Sequence, residues 1–468
     1  MGRLRAMGGG PDRDDLLGPG GRKRGLSTAL AAEIAAEVAT LIGSVSEFEA
    51  LERGVRDRAL RQAAQELEQR LNRDPSDHAG RGLPCACGGR ARYAGRRAKG
   101  FQTVLGLVTL ERAYYHCGAC GQGFCPRDRA LGLTASMLSP GVTRMVGQVA
   151  ARVSFAESSE LLAELAGLRV EAKHVERAAE ALGREVADDE RRVVEPAAAP
   201  SAPTLYLGVD GTGVPMRAVE LEGRAGKQPD GSAKTREAKL CTVWSAEGRD
   251  PEGQPVRDPN SVTYSGAIES AATRDTDLDP SEFAARVVRE ATRRGFEQAP
   301  RRVVLGDGAV WIWNLANEQF PGAIQIVDRC HAKQKLNAVA KAIYGPTSEL
   351  GTAWAQCRKD ELDAGDVDAI ACALAPHATF HEEALQFSDY IQRNRARLNY
   401  PEFEAQGLCT TTAVVEAGCK VTVGTRLKRA GMHWTVSGAN AILALRCTVL
   451  SGRFDDFWKR RGAAIRAA

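Results

Sequence analysis

The sequence predicts a multidomain α/β protein, and three observations lead to this prediction. Two cysteine clusters bracket alternating β-type sequence between residues 85 and 126, which is typical of a small metal-bound domain. A Pro/Ala-rich stretch, VEPAAAPSAP, covers residues 194–203 and is expected to be a linker. Beyond that stretch, buried-type strand runs alternate with helical runs. The chain is therefore expected to place small helical and cysteine-rich units before the linker and an α/β domain after it.

Length and composition are those of a folded protein with two or three domains. The 468 residues are 43% hydrophobic and 26% charged. No uninterrupted apolar run reaches about 18 residues, so a membrane span is not expected. Residues 1–27 are rich in Gly, Arg and Asp without an apolar signal-peptide core, and they are predicted to be a disordered tail. A cytoplasmic location is the corresponding expectation.

The region before the linker divides into three predicted parts. Residues 28–80 carry apolar positions at helical spacing without an internal run of turn residues and predict a helical N-terminal arm. Residues 81–130 hold the cysteine clusters and predict a zinc-ribbon-like domain. Residues 131–193 predict a helix-turn-helix-like DNA-binding region, since two helical segments meet at Gly167. The alternative for this helix pair is a simple packing unit.

Four cysteines have the arrangement of a zinc site. Cys117 and Cys120 form a C-x2-C knuckle, and Cys85 and Cys87 form a C-x-C pair about thirty residues earlier. Thiolates in two such clusters typically bind one Zn²⁺ ion tetrahedrally. The short C-x-C spacing strains simultaneous binding, so Cys125 could replace one member of that pair. The alternative is a group of buried thiols without metal. Seven further cysteines are scattered and are expected to be small core residues: Cys241, Cys330, Cys357, Cys372, Cys409, Cys419 and Cys447.

The region after the linker predicts a specific order of elements. Three strand-like runs come first, TLYLGVD, AKLCTVWSA and SVTYSGAIES, and a helical run, PSEFAARVVREATRRG, follows them. A fourth strand, RRVVLGDG, a short helix, WIWNLANEQF, and a fifth strand, AIQIVD, complete the series. Three strands, helix, strand, helix, strand is the order of the ribonuclease H-like fold. Residues 204–331 are predicted to form this part of the core.

Two aspartates follow strands that lie side by side in that order. Asp210 ends the first strand and Asp307 ends the fourth, and glycines flank both. Carboxylates that meet at neighbouring strand ends can share a divalent cation, which prefers oxygen ligands. Glu416, in an otherwise apolar helical segment, is the third candidate. The alternatives are turn residues for the aspartates and an i, i+4 pair with Lys420 for the glutamate.

The C-terminal region is locally basic although the whole chain has a net charge of only +4. Residues 420–461 contain nine Lys or Arg and only two acidic residues. Such a surface can follow a phosphate backbone, and Arg426, Lys428 and Arg429 are the residues expected to contact DNA. The alternative is an ordinary solvated basic face.

The chain resembles the DDE transposases of bacterial insertion sequences, and within them the ISKra group, which is related to Mutator-like transposases. The motifs that carry the resemblance are GVDGTGVPM, LGDGAVWIWNLANEQFPGAIQIVDRCHAKQKL and EAGCKVTVGTRLKRAGMHWTVSGANAILALR. The resemblance implies that Asp210, Asp307 and Glu416 form a catalytic triad that binds Mg²⁺ or Mn²⁺. It also implies a helical insertion over residues 332–410, before the catalytic glutamate helix and basic C-terminus of residues 411–468.

The resemblance adds two further site residues and a function. DRCH matches the Asp-x-x-His signature of Mutator-like enzymes at Asp328 and His331 and implies support at the scissile phosphate. A core histidine is the alternative for His331. The implied function is binding of element terminal inverted repeats, cleavage, and joining to target DNA by a homodimer or higher oligomer, nucleoid-associated when bound. The alternatives are a nuclease of this fold without strand transfer and an inactive transposase-derived DNA-binding protein.

Overall fold

The computed structural model describes residues 47–133, 137–226, 228, 231–271 and 280–467, and the isolated positions 32, 35, 36, 39 and 40. For residues 466 and 467 it describes the backbone only. The predicted tail, 1–27, and most of the sequence between it and residue 47 lie outside the described residues. The chain forms two compact units, Met1–Ser139 and Pro140–Ala468. The predicted linker, 194–203, is irregular and lies inside the second unit.

The first unit contains a long helix and a four-stranded antiparallel sheet. Its elements are α1 (Phe48–Arg73), β1 (Gly82–Pro84), β2 (Arg90–Thr103), β3 (Gly106–Cys117), β4 (Gly123–Phe124) and α2 (Pro126–Ala130). A tight turn joins β2 to β3, where Gly106 has φ of +126°, a conformation that favours glycine. Ala64 of α1 is buried against Phe101, Val108 and Leu110 of the hairpin. The helix therefore covers one end of the hairpin's apolar face.

The second unit begins with helices and continues with a mixed sheet. Its elements as far as the last strand are α3 (Pro140–Ala150), α4 (Phe155–Ala166), α5 (Ala172–Arg192), β5 (Thr204–Pro215), β6 (Thr235–Trp244), β7 (Gly248–Arg249), β8 (Pro255–Val256), β9 (Thr263–Ala267), α6 (Glu282–Arg294), β10 (Arg301–Gly306), α7 (Val310–Gln319) and β11 (Ile324–Val327). The β7–β8 hairpin was not predicted, because two-residue strands leave no periodic pattern in a sequence.

A helical region completes the second unit. It comprises α8 (Arg329–Tyr344), α9 (Glu349–Asp363), α10 (Val367–Ala378), α11 (Glu382–Arg393), α12 (Tyr400–Ala405), α13 (Ala413–Cys419), α14 (Thr425–Leu427), α15 (Val436–Leu450) and α16 (Phe454–Ala467). Short 3-10 turns occur at Ala218–Glu220, Phe296–Gln298 and Arg395–Arg397, and a π-helical turn, Lys420–Gly424, joins α13 to α14.

The five-stranded sheet has the order β11-β10-β5-β6-β9. β5, β6 and β9 pair antiparallel, as consecutive hairpin-type strands do. β10 and β11 run parallel to β5, and a helix precedes each of them, as parallel connections require. Val303, Val304 and Leu305, consecutive residues of β10, are fully buried, so both faces of the sheet are covered there. Counted along the chain, the spatial order of the strands is 3-2-1-4-5.

Helices α5 and α15 cross in direct backbone contact. Gly183 of α5 lies against Ala441 of α15, and a Cβ on Gly183 would come within 2.0 Å of the Ala441 carbonyl oxygen. Both helices bury a face here, since Leu182 and Leu445 are almost fully inaccessible. Glycine at residue 183 therefore sets the distance between the two helices.

Replacing Gly183 by alanine is expected to destabilise the second unit by about 1–3 kcal/mol, because the clash is with backbone that cannot rotate away. Thermal unfolding monitored by circular dichroism measures the change. Gly424→Ala is the matched control, since its Cβ would meet only the Cys419 carbonyl oxygen at 3.7 Å. Equal melting temperatures for Gly183→Ala and the wild type would show that the helices can separate at little cost.

In the part of the chain that the structure describes, no helix combines the length and the apolar character needed to cross a membrane.

Candidate metal centres

Four cysteine side chains of the first unit converge on one point. The thiol sulfurs of Cys85, Cys87, Cys117 and Cys120 all lie within 4.8 Å of one another. The Sγ atoms of Cys85 and Cys120 are 3.6 Å apart, and those of Cys87 and Cys117 are 3.7 Å apart. With Zn–S bonds of about 2.3 Å, a regular tetrahedron has edges of about 3.8 Å. The four sulfurs thus match the size of a zinc–thiolate site and could bind zinc.

Two tight turns present these cysteines. The Gly88 N–H donates to the Cys85 carbonyl at 3.0 Å, and Gly88 has φ of +82°. The second turn is closed in a similar way, since the Gly121 N–H donates to the Cys117 carbonyl at 2.9 Å. Each glycine adopts a left-handed conformation that other residues disfavour. The C-x-C spacing is accommodated because the first turn curls back on itself.

Cys125 lies outside the cluster although it is buried. Burial raises the pKa of its thiol, which is the behaviour of a small core residue. In contrast, hydrogen bonds from the backbone N–H groups of Cys120 and Ala119 lower the pKa of Cys117 to about 7. Of the two ligand sets left open by the sequence, the structure brings together the one that contains both Cys85 and Cys87.

Asp210 and Asp307 follow one register on neighbouring strands. β10 pairs with β5 in parallel at a constant offset, and the last pair is Leu305 with Gly208. Continuing this offset by two residues brings Asp307, just after β10, level with Asp210 in β5. Neighbouring strands lie about 4.8 Å apart, and residues level with each other point to the same face. The register therefore brings the two aspartates level with each other, Asp210 within β5, which runs on to Pro215, and Asp307 just beyond β10.

The backbone after β10 holds Asp307 in a compact turn. The Asp307 carboxylate accepts a hydrogen bond from the Ala309 N–H at 2.9 Å, and the Tyr390 hydroxyl donates to the Asp307 carbonyl at 3.0 Å. Gly308 has φ of +93°, and a Cβ there would come within 2.3 Å of the Tyr390 ring. Glycine is thus required after Asp307 for both conformation and space.

Helix α13 brings Glu416 to the same sheet. The helix packs on β5 and β6, where a Cβ on Gly418 would meet Leu240, Tyr264 and Thr242 at 3.1–3.2 Å. The Glu416 side chain is 37% exposed, and the Lys420 ammonium lies 3.9 Å from it. Lys420 itself is 79% exposed, so this is a loose surface pair. The glutamate therefore stays accessible to a ligand.

The pKa of Asp210 is influenced by both of the other acidic residues, Asp307 and Glu416. Burial raises the pKa of Asp210, and the charges of Asp307 and Glu416 contribute in the same direction. The carboxylates of these three residues do not all lie within 4.8 Å of one another, unlike the sulfurs of the cysteine cluster. In the described structure the three carboxylates are therefore close enough to influence the pKa of Asp210, but they do not form a preassembled ligand cluster.

Cys419 is a neighbour of Asp210 that sequence reasoning missed. Its buried thiol interacts electrostatically with the Asp210 carboxylate, and burial together with that negative charge raises the pKa of Cys419. Asp210 accepts a hydrogen bond from the Gly211 N–H at 2.7 Å. The position of Cys419, three residues after Glu416 and therefore on nearly the same helix face, was the available signal.

Asp328 is fully buried and its carboxylate is occupied by hydrogen bonds. One oxygen accepts from the His331 N–H at 2.6 Å and caps helix α8. The other accepts from the backbone N–H and the hydroxyl of Thr412, directly before α13. The Asp328 N–H donates to the Gly306 carbonyl at 2.8 Å. Asp328 therefore joins the end of β10 to the start of α13, while the half-buried His331 lies in the first turn of α8.

The three residues expected to contact DNA have different environments. Arg426 is fully buried, lies over the rings of Phe155 and Trp434, and donates to the Ala150 carbonyl at 2.8 Å. Burial lowers its pKa to about 10. Such a side chain does not face solvent and is not available to a phosphate in this conformation.

Lys428 and Arg429 are exposed but differ in their partners. The Arg429 guanidinium forms a two-point ion pair with Glu157, and this pair lowers the pKa of the Glu157 carboxyl to about 2. Lys428 donates to the Thr212 hydroxyl at 2.7 Å. Thr212 lies two residues after Asp210 and on the same face of β5. Of the three, Lys428 is the cation beside the carboxylates.

The remaining basic residues of the C-terminus are largely occupied inside the second unit. Arg446 donates to the Ala151 and Val421 carbonyls, Arg453 to Glu290 at 2.7 Å, Arg460 to Asp189 at 2.6 Å, and Arg461 to Glu185 at 2.5 Å. Glu290 has no exposed surface. The basic run therefore serves mainly to join α16 and the end of α15 to α5 and α6.

The helix pair around Gly167 is stabilised by capping at both ends of α4 and by contacts of α5 with the rest of the second unit. Ser154 and Glu157 form a capping box at the start of α4, and Gly167 ends that helix with φ of 68°. The second helix, α5, buries Val175, Leu182 and other apolar residues. Its acidic side carries ion pairs to the C-terminal arginines. These contacts account for the packing of the pair within the second unit, and DNA binding by it stays a prediction.

Comparison with known proteins adds little. No protein-family model and no curated protein sequence matches the chain. Among solved structures, the chain is similar to the Drosophila P element transposase strand transfer complex, at a TM-score of 0.25 and 10% sequence identity over 73% of this chain and 84% of that one. A similarity of this size carries no argument about family or mechanism.

Proposed function

We propose that the protein is a DDE transposase of the type that the sequence motifs resemble, with a ribonuclease H-like core. It would bind the terminal inverted repeats of a mobile element, cleave phosphodiester bonds and join the ends to target DNA. The observation that carries the proposal is the shared register of β5 and β10, which brings Asp210 and Asp307 level with each other on neighbouring strands. The spatial strand order 3-2-1-4-5 is the order of ribonuclease H-like folds and supports it.

Asp210, Asp307 and Glu416 are the residues that would hold Mg²⁺ or Mn²⁺ in this enzyme. Their donor set fits such an ion, because hard cations prefer carboxylate oxygens and Glu416 is partly open to solvent. When bound, divalent ions at such a site activate the attacking oxygen and stabilise the leaving oxygen. Burial and the charges of Asp307 and Glu416 raise the pKa of Asp210, and a bound cation would favour its ionised form.

Other residues would position the substrate and the acids. Lys428 is proposed to contact a DNA phosphate, since its ammonium lies beside Thr212. The other two residues expected to contact DNA are less accessible, because Arg426 is buried and Arg429 is paired with Glu157. His331 is proposed to support the scissile phosphate from the first turn of α8. Asp328 is proposed to act as a positioning residue, because its hydrogen bonds tie Gly306 to Thr412.

A strand-transfer assay tests this function against its alternatives. The purified chain is incubated with a duplex carrying the element end, a target plasmid and MgCl₂, and products are separated on a gel. Joined product is expected. Cleavage without joining would favour a nuclease of this fold, and binding without cleavage would favour an inactive transposase-derived DNA-binding protein. Analytical ultracentrifugation of the protein–DNA complex tests the proposed homodimer or higher oligomer.

A further inference from the structure

The first unit carries a strong local excess of positive charge. Between His78 and Arg127 the sequence has eight Lys or Arg and a single acidic residue, Glu111. Four thiolates around a zinc ion would contribute a charge of about −2, which leaves the excess positive. An excess of this size within about fifty residues is much larger than the +4 of the whole chain and attracts polyanions.

Three of these eight cations are used inside the unit. Arg112 pairs with Asp128, and its side chain is 7% exposed. Arg127 is buried and donates to the Leu71 and Asp74 carbonyls. Arg96 pairs with Asp77 at 3.1 Å. These three are therefore structural.

The other five have no carboxylate within ion-pair distance among the described residues: Arg81, Arg90, Arg92, Arg97 and Lys99. The ring of Tyr114 supports Arg97, whose guanidinium carbon lies 3.6 Å from the ring centroid. Stacking of this kind orients a guanidinium without neutralising its charge. Arg90 donates only a long hydrogen bond to the Gly82 carbonyl, at 3.5 Å. The C-terminal arginines differ, because most of them are held by carboxylates.

Strand pairing collects four of these five side chains on one face, whereas Arg81 lies level with Tyr93 and belongs to the other face. Arg92 lies opposite His116, and Arg97 lies opposite Arg112. Residues 112, 114 and 116 of β3 point away from the face that buries Ala113, Tyr115 and Cys117, and their partners on β2 share their face. Helix α1 covers the far end of this face near Val108 and Leu110. At the uncovered end, Arg90, Arg92 and His116 line a groove of about 400 Å³.

We infer that this face, defined by Arg90, Arg92, Arg97 and His116, binds the phosphate backbone of duplex DNA. The inference rests on the proposed function and specifies where that enzyme would hold its DNA. The face has the chemistry required for phosphate binding: exposed guanidinium groups on a rigid sheet, without competing carboxylates. Contacts of this kind position DNA and do not read its sequence.

The test is the salt dependence of DNA binding by the full-length chain. The variant Arg90→Gln/Arg92→Gln/Arg97→Gln is compared with the wild type by fluorescence anisotropy on a labelled duplex of arbitrary sequence, across a KCl series. If each arginine contacts a phosphate, the slope of log affinity against log salt falls by about 2.7, roughly 0.9 for each contact. Affinity at low salt falls by roughly ten- to a hundredfold.

A charge-matched control removes three paired cations of the second unit, Arg144→Gln/Lys459→Gln/Arg460→Gln, which contact Asp455, Asp456 and Asp189. Its slope should stay within about 0.9 of the wild-type value. Elemental analysis for zinc shows whether the arginine variant keeps its first unit folded. An unchanged slope in that folded variant would overturn the inference, as would equal losses in both variants or tighter binding of duplex RNA than of DNA.

The inference and the proposed function fail in different ways. If wild-type protein binds DNA through this face but never cleaves it with Mg²⁺ or Mn²⁺, the inference stands and the proposed activity does not. If it cleaves, while the arginine variant keeps its zinc and its salt slope, the activity stands and the inference is wrong.

Discussion

Replacing Asp307 by alanine is expected to lower the rate of strand cleavage at least about a thousandfold, which corresponds to about 4 kcal/mol of transition-state stabilisation. The reason is that Asp307 and Asp210 are proposed to hold the catalytic cation together, and a single carboxylate cannot keep it in place. Asp210→Ala and Glu416→Ala are expected to have effects of the same order. Single-turnover cleavage of an end-containing duplex in MgCl₂ measures the loss.

DNA binding by these variants should be unchanged, because the phosphate contacts are assigned to other residues. Asp389→Ala is a suitable control, since it makes the same aspartate-to-alanine change at an exposed position on α11. It should cleave at the wild-type rate. Retained cleavage in Asp307→Ala, with the protein folded, would remove the basis for the metal-site assignment.

Removing one thiol of the cysteine cluster is expected to abolish zinc binding. Purified wild-type protein should contain about one zinc ion per chain, as expected for a single structural thiolate site. Cys87→Ala should contain almost none. Zinc sites of this type contribute on the order of 10 kcal/mol to folding of a small domain. The sheet of the first unit should therefore become sensitive to proteolysis, which limited digestion and mass spectrometry detect.

Cys125→Ala is the matched control for zinc. This cysteine is buried in the same unit but lies outside the cluster, so the variant should keep its zinc and lose only about 1–2 kcal/mol of stability. The reverse result, zinc retained in Cys87→Ala and lost in Cys125→Ala, would mean that Cys125 is a ligand and that the first turn rearranges when metal binds.

The three basic residues near Glu416 illustrate what a sequence leaves undecided. Arg426, Lys428 and Arg429 are equivalent in the sequence, as three cations within four positions. In the structure the first is buried between aromatic rings, the second lies beside Thr212 and the third is paired with Glu157. Glu157 lies 272 residues away along the chain, and no local pattern indicates such a contact.

The roles of the cysteines and of the remaining arginines were likewise left undecided by the sequence. The sequence identified two clusters but could not choose between Cys125 and the C-x-C pair, because the choice depends on how a turn curls. The sequence indicated a basic C-terminus, but it did not show that acidic residues of α5 form ion pairs with those arginines. The arginines of β2 were not predicted to form a binding face. Those arginines lack carboxylate partners because the sequence between His78 and Arg127 holds a single acidic residue, Glu111, but their common face depends on strand pairing.

The sequence by itself determined the order of the five main-sheet strands and the helices between them, and it placed Asp307 directly after a strand. These features depend on hydrophobic periodicity and on the glycines next to Asp307, which are properties of neighbouring residues. The prediction that Asp210 ends a strand was wrong, because β5 continues past it to Pro215. Only the tertiary structure decided which cysteines converge, which arginines are buried or paired, and that the charge of Asp210 raises the pKa of the Cys419 thiol. Those outcomes depend on contacts between distant segments, because burial and ion pairing are set by whatever the folded chain brings alongside each side chain.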